Sequence, residues 1–141
     1  LAEQCYYRLR FFQESPKALL PRQETRLTVF SIAYLTEKAI DLTKPKLVKN
    51  KKQWTHSSDY NATQTLAENA READINIIRY ESVRDIETGV NFALLSAKTI
   101  RSKKPKIQQT WFLYMSEMEF NCERTNASKP NESITFKHEQ L

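Results

Sequence analysis

Glycine is almost missing from this chain. Its 141 residues include one, Gly89, where average usage near 7% would give about ten. Phosphate loops of the G-x-G-x-x-G or G-x-x-x-x-G-K-[ST] type need several glycines for tight turns and close backbone approach. Neither can be built, so any nucleotide must be held by side chains or ordinary helix N-termini. Histidine and cysteine are also sparse. His56 and His138, Cys5 and Cys122 form neither a zinc spacing nor a C-x-x-C pair, so no metal is expected. Both thiols are expected to be buried and reduced. No apolar run approaches the length of a membrane-spanning helix, and no charged-then-apolar leader is expected before Leu1. A cytoplasmic location is the expectation. There is no G-x-S-x-G elbow to present a nucleophilic serine to a base, and both histidines read as ordinary surface or edge residues. Three N-x-[ST] sequons, at Asn61, Asn126 and Asn131, are close to what chance yields from eight asparagines. They carry no argument for secretion.

What is present is enough for one domain. Hydrophobic residues make up 40% and aromatics 11%, and a chain this long can bury a real core. The net charge of +5 favours anionic ligands or an acidic partner without marking a nucleic-acid binder.

Along residues 1–12, Leu1, Ala2, Cys5, Tyr6, Leu9 and Phe12 fall within an arc of about 140° on a helical wheel. Glu3, Tyr7 and Arg10 share a second face. Pro16 and Pro21 end this helix. Thr25–Leu35 is β-branched and aromatic on both alternating faces, which predicts a strand buried on both sides. A short strand over Ala39–Leu42 precedes Lys44–Lys52, a solvated loop with five lysines in nine residues. Asp59 or Asn61 is expected to cap a second helix whose buried face carries Ala62, Leu66, Ala70 and Ala73. Strands follow at Ile75–Tyr80 and Val90–Leu95, then a basic loop at Arg101–Lys106. Gln109–Cys122 and Ser133–His138 alternate apolar and polar, as paired antiparallel strands joined through 126–131. The order lacks a regular βαβ alternation, so the class is α+β.

The most unusual segment is Ile75–Asn91, INIIRYESVRDIETGVN. A buried strand runs straight into Glu81, Ser82, Arg84, Asp85 and Glu87, and strand ends that deliver polar groups are where sites are commonly built. Ser82 and Arg84, two apart, would share a face in extended chain. A hydroxyl beside a guanidinium suits a phosphate clamp that uses no glycine loop. The plainer reading is a solvated turn.

This segment resembles the RES domain family, whose signature reads approximately Tyr-Pro-Ser-x-Arg followed by Gly-x-Asn and an apolar strand. Here it stands as Tyr80-Glu81-Ser82-Val83-Arg84, then Gly89-Val90-Asn91-Phe92-Ala93-Leu94-Leu95. Glu81 replaces the usual proline at a spacer position. Leu1-Ala2-Glu3-Gln4 is similar to the family's Ala-Glu helix, and Trp54, Tyr60 and Thr63-Gln64-x-Leu66-Ala67 fit the pattern before its second helix. The resemblance covers roughly residues 1–115. The family's arginine has no match, because it lies upstream of the Ala-Glu helix. Either the natural protein continues upstream of Leu1 with an Arg-bearing strand, which the start at a residue other than Met favours, or the chain is a divergent, inactive remnant; residues 1–141 are read as a single domain lacking that region.

The resemblance implies a split, mostly antiparallel sheet with flanking helices, similar to the diphtheria-toxin-like ADP-ribosyltransferase fold. It implies a bacterial toxin that consumes NAD by breaking the nicotinamide–ribose bond. Its partner would be a helix-turn-helix antitoxin that blocks the cleft and supplies the only link to DNA. Glu3 and Ser82 take the catalytic positions: Glu3 faces the ribose and its developing cation, and Ser82 holds the nicotinamide ribose in register. Arg84 becomes a group for the pyrophosphate or for orienting the glutamate, and Asn91 supports the NAD site from behind. Read without the resemblance, Glu3 is a surface carboxylate paired with Tyr7 or Arg10. Two other functions stay open. One is transfer of ADP-ribose to a macromolecule by the same site. The other is a non-enzymatic basic module that binds nucleic acid through the Lys44–Lys52 and Arg101–Lys106 loops.

Overall fold

Helix α1 spans Ala2–Glu14 in the computed structural model, which describes residues 1–15, 17, 19, 23–85, 87–125 and 131–140. The expected terminators Pro16 and Pro21 lie outside the described residues. Contacts divide the chain into two units, 1–31 with 105–141 and 32–104.

The first unit is a four-stranded antiparallel sheet in the order β1-β5-β6-β7, covered on one face by α1. Its strands are β1 (Thr25–Phe30), β5 (Gln108–Met115), β6 (Glu119–Arg124) and β7 (Glu132–Lys137). The period of α1 turns Ala2, Cys5 and Leu9 onto Trp111, Leu113 and Phe120, with Cys122 and Phe136 completing the core. Full burial of a leucine such as Leu9 contributes about 1.5–3 kcal/mol.

Two expectations fail here. The strand at Thr25 stops at Phe30 and is not buried on both sides: Val29 and Phe30 are 37% and 57% exposed. Among the described residues it pairs with β5 alone, so it is an edge strand, and an apolar alternation does not reveal whether a second layer covers it. Gln109–Cys122 is not one strand but the hairpin β5–β6. Ser116 makes the reversal. Its Oγ accepts the Met118 and Glu119 backbone N–H groups at 3.2 and 3.1 Å, so a serine does the work usually signalled by Gly, Asn or Pro. Strand β6 then pairs with β7 as expected, and most of the connection through 126–131 lies outside the described residues.

The second unit holds the sheet β2-β3-β4: β2 (Ala39–Asp41), β3 (Ile77–Glu81) and β4 (Val90–Leu94). Strands β2 and β3 run parallel, β3 and β4 antiparallel. Helix α4 (Asn61–Glu72) packs Leu66 and Ala70 onto Ile78, Ala93 and Leu42. Its cap differs from expectation. Tyr60 is the N-cap and uses no side chain, while Asp59 Oδ1 accepts the Asn61 N–H at 3.0 Å one position outside it. Ala73 is the exposed C-cap rather than part of the buried face. Asp74 follows at φ 54°, a left-handed stop that aspartate tolerates better than most residues.

The lysine-rich segment is not a loop. It folds as two single-turn helices, α2 (Pro45–Val48) and α3 (Lys51–Trp54), with Pro45 in the first turn of α2, where its missing N–H costs nothing. Leu47 and Trp54 are drawn into the Leu42–Ala70–Ile78 core, and the lysines stay outside. The α+β class therefore holds, with two sheets and mostly antiparallel pairing. No described helix is long and apolar enough to cross a membrane.

Candidate functional site

The serine motif sits where β3 ends. Strand β3 reaches Glu81, one residue further than its sequence pattern predicts and starting two later. The chain then bends at Val83 and Arg84. Ser82 and Arg84 do not share a face of extended chain. They meet through a turn in which the Arg84 backbone N–H donates to Ser82 Oγ at 3.3 Å.

The turn is not solvated, because Ser82 and Arg84 are only 8% and 6% exposed. Arg84 Nη2 donates to the Ser57 carbonyl at 2.6 Å, which gives the guanidinium a partner in the segment before α4. A buried cation persists only where it is hydrogen-bonded or paired.

The connection back to β4 is closed by the Ser82 N–H on the Gly89 carbonyl at 2.8 Å and by the Thr88 N–H on the Asp85 carbonyl at 3.0 Å. Thr88 adopts φ 54°, a strained conformation for a β-branched residue, which the surrounding structure must impose. Gly89 is not needed for a positive φ. A Cβ there would press on the Asp85 carboxylate, the far end of a side chain that would have to swing away. Beyond it, Asn91 lies opposite Tyr80 in the β3–β4 register, so the Gly-x-Asn piece returns to the strand that delivers Ser82.

Next to this turn stands a polar group that the sequence reading missed. Arg79 is the register partner of Asp41, and its Nη1 donates to both carboxylate oxygens at 3.2 and 3.1 Å. Thr43 donates its hydroxyl and its N–H to Asp41 Oδ1 at 2.6 and 3.0 Å. The Thr43 hydroxyl, with Arg79 added, holds the Asp41 carboxyl below its ordinary range. One residue beyond Tyr80, Glu81 pairs with Lys51 of α3 at 2.6 Å. Both Glu81 and Lys51 line a cavity of about 50 Å³, with Thr43, Trp54 and Tyr80 among its walls. That volume suits a few water-sized groups and is far too small for a dinucleotide. A wider groove of about 450 Å³ adjoins it along α2 and α3, lined by Lys49, Lys51 and Lys52. The clue to this constellation was parallel pairing of two strands distant in sequence, which no local pattern discloses.

Glu3 belongs to the first unit, half-buried in the first turn of α1. Of its two alternative partners, Tyr7 and Arg10, the latter is engaged by Glu14 and by Tyr6 Oη at 3.2 Å. His56 is a turn residue whose Nδ1 accepts the Asp59 N–H at 2.8 Å. His138 lies just beyond β7, its ring tilted against that of Phe120 with centroids 5.1 Å apart. Cys5 and Cys122 are free, buried thiols, and no metal-binding cluster occurs among the described residues.

The family model described as RES domain matches residues 1–115. No curated protein matches the chain. The matched span includes α1 with Glu3, the buried Ser82–Arg84 turn and the Gly89–Asn91 return. With 115 of 141 residues matched, the chain belongs to the RES domain family.

Proposed function

We propose that this domain consumes NAD by cleaving the bond between nicotinamide and ribose, as the cytoplasmic toxin of a toxin–antitoxin pair. One observation carries the reading: the serine motif of the family is folded here as a buried, hydrogen-bonded turn with Arg84 locked beside Ser82. A solvated loop would not bury a guanidinium. Arg84 and the lysines of α2 and α3 supply the cations that an anionic pyrophosphate asks for, in a chain without a phosphate loop.

Nicotinamide leaves as a neutral molecule from a cationic pyridinium, so the reaction needs no strong general acid. Its demand is stabilisation of an oxocarbenium-like ribose, which a carboxylate meets by electrostatics. Glu3 is assigned that role, and Ser82 the positioning of the nicotinamide ribose. Arg84 serves the pyrophosphate or the orientation of the glutamate, and Asn91 supports the site from β4. A helix-turn-helix antitoxin would block the site and provide the link to DNA.

The test is incubation of the full-length protein, free of antitoxin, with NAD, following nicotinamide release by chromatography. Free ADP-ribose marks hydrolysis, its phosphate ester marks phosphorolysis, and label on a macromolecule marks ADP-ribose transfer. NAD left intact overturns the proposal. The lysine groove along α2 and α3 favours a second reading, a basic nucleic-acid-binding module. That reading requires DNA or RNA affinity that falls steeply with salt.

A further inference from the structure

The two cysteines of the chain are 117 residues apart in sequence, yet their sulfurs meet at 3.9 Å. Cys5 comes from the buried stripe of α1 and Cys122 from the inner face of β6. They are 1% and 0% exposed, and both belong to the first unit. Neither takes part in the chemistry proposed for NAD. Packing alone does not call for two thiols in contact, since an alanine or valine would fill either place.

We propose that Cys5 and Cys122 are a redox-responsive dithiol that closes to a reversible disulfide and fastens α1 to β6. The oxidant is a hydroperoxide. A thiolate attacks the peroxide oxygen, giving a sulfenic acid and releasing water or an alcohol. The second thiol then displaces hydroxide from that sulfur, which leaves as water, and the S–S bond forms. Two thiol hydrogens are lost overall and one equivalent of peroxide is reduced. The local electrostatics name the first nucleophile. Either sulfur can donate across this contact; the contact with Cys5 pulls the Cys122 thiol below its ordinary range, whereas the contact with Cys122 and burial push Cys5 up. Cys122 is the thiolate that meets the peroxide, and Cys5 resolves the sulfenic acid. Burial keeps larger oxidants out and limits competing capture by other thiols.

Closure links residues 117 apart, and cross-links spanning so much chain restrict the unfolded state most. The oxidised protein should melt higher by about 5 °C or more.

The experiment treats the reduced, full-length protein with a slight excess of hydrogen peroxide, well below its melting temperature. The expected product is a monomer lighter by two hydrogens, containing one Cys5–Cys122 linked peptide after proteolysis. Dithiothreitol should restore both its mass and its lower melting temperature. Cys5→Ser should trap the sulfenic acid on Cys122, detected by a dimedone adduct. Three results overturn the proposal: oxygen added without hydrogen loss, dimers linked between chains, or a linked peptide seen only in denaturant. The peptide map needs no variant, so a misfolded Cys5→Ser protein leaves the question answerable. None of these readouts depends on NAD.

Discussion

The backbone N–H of Ser82 donates to the carbonyl of Gly89 at 2.8 Å, joining the two halves of the family's serine motif. Six residues lie between the partners, yet this one bond makes Tyr-x-Ser-x-Arg and Gly-x-Asn a single feature. Ser82 Oγ in turn accepts the Arg84 N–H, and Arg84 reaches Ser57 in the segment before α4. The motif is thus a clasp between β3, β4 and that segment.

Replacing the hydroxyl tests this clasp. Ser82→Ala should slow NAD cleavage by about ten- to a hundredfold, the usual consequence of one lost positioning hydrogen bond. The same change removes the turn bond to Arg84 and should cost about 0.5–1.5 kcal/mol in stability. Denaturant titration beside a nicotinamide-release assay reads both effects. Unchanged turnover in the folded variant would remove Ser82 from the site.

Glu3→Gln should abolish NAD cleavage more completely than it weakens NAD binding. The carboxylate acts on charge that develops only in the transition state, so kcat should fall about a hundredfold or more. Gln keeps the shape and one acceptor oxygen in the first turn of α1. Affinity measured by calorimetry should change little. Wild-type turnover by this variant would sink the catalytic assignment.

Gly89→Ala should force the Asp85 side chain to turn away, because the new Cβ would press on its Oδ2. Turning costs the bond that Asp85 Oδ1 accepts from the Glu87 N–H at 3.0 Å, worth about 0.5–1.5 kcal/mol. Combining it with Asp85→Ala should remove the clash, so the double variant should lose less than the sum of the two singles. Strict additivity in urea titrations would show that the carboxyl does not press on Gly89.

Acid should loosen the second unit through Asp41. Its carboxyl is held below the ordinary value of 3.8, first by the Thr43 hydroxyl and then by the Thr43 N–H and Arg79. A carboxylate whose folded pKa is depressed contributes its stability above the unfolded pKa and loses it as pH falls through the folded value. Wild type should therefore lose melting temperature as pH falls below the ordinary carboxylate range more steeply than Asp41→Asn. Parallel slopes would show that the Asp41–Thr43–Arg79 group does not couple to folding.

Local chemistry in the sequence determined a good deal. The apolar period of residues 1–12, the Leu66–Ala70 stripe and the β-branched run before Tyr80 each follow from side-chain geometry within one element, and each element forms. The Tyr-x-Ser-x-Arg and Gly-x-Asn spacings were likewise legible, because a hairpin return keeps motif and sequence order together. Tertiary structure decided what depends on partners far along the chain. Whether Val29 and Phe30 are covered depends on how many strands pair with β1, and only β5 does so among the described residues. The lysine-rich stretch folds because Leu47 and Trp54 find a core assembled from β2, β3 and α4, which its own composition does not announce. Asp41 meets Arg79, and Cys5 meets Cys122, across 38 and 117 residues. Propensity acts over a few residues. Burial and pairing of charges and thiols are set by the whole chain once it has closed on itself.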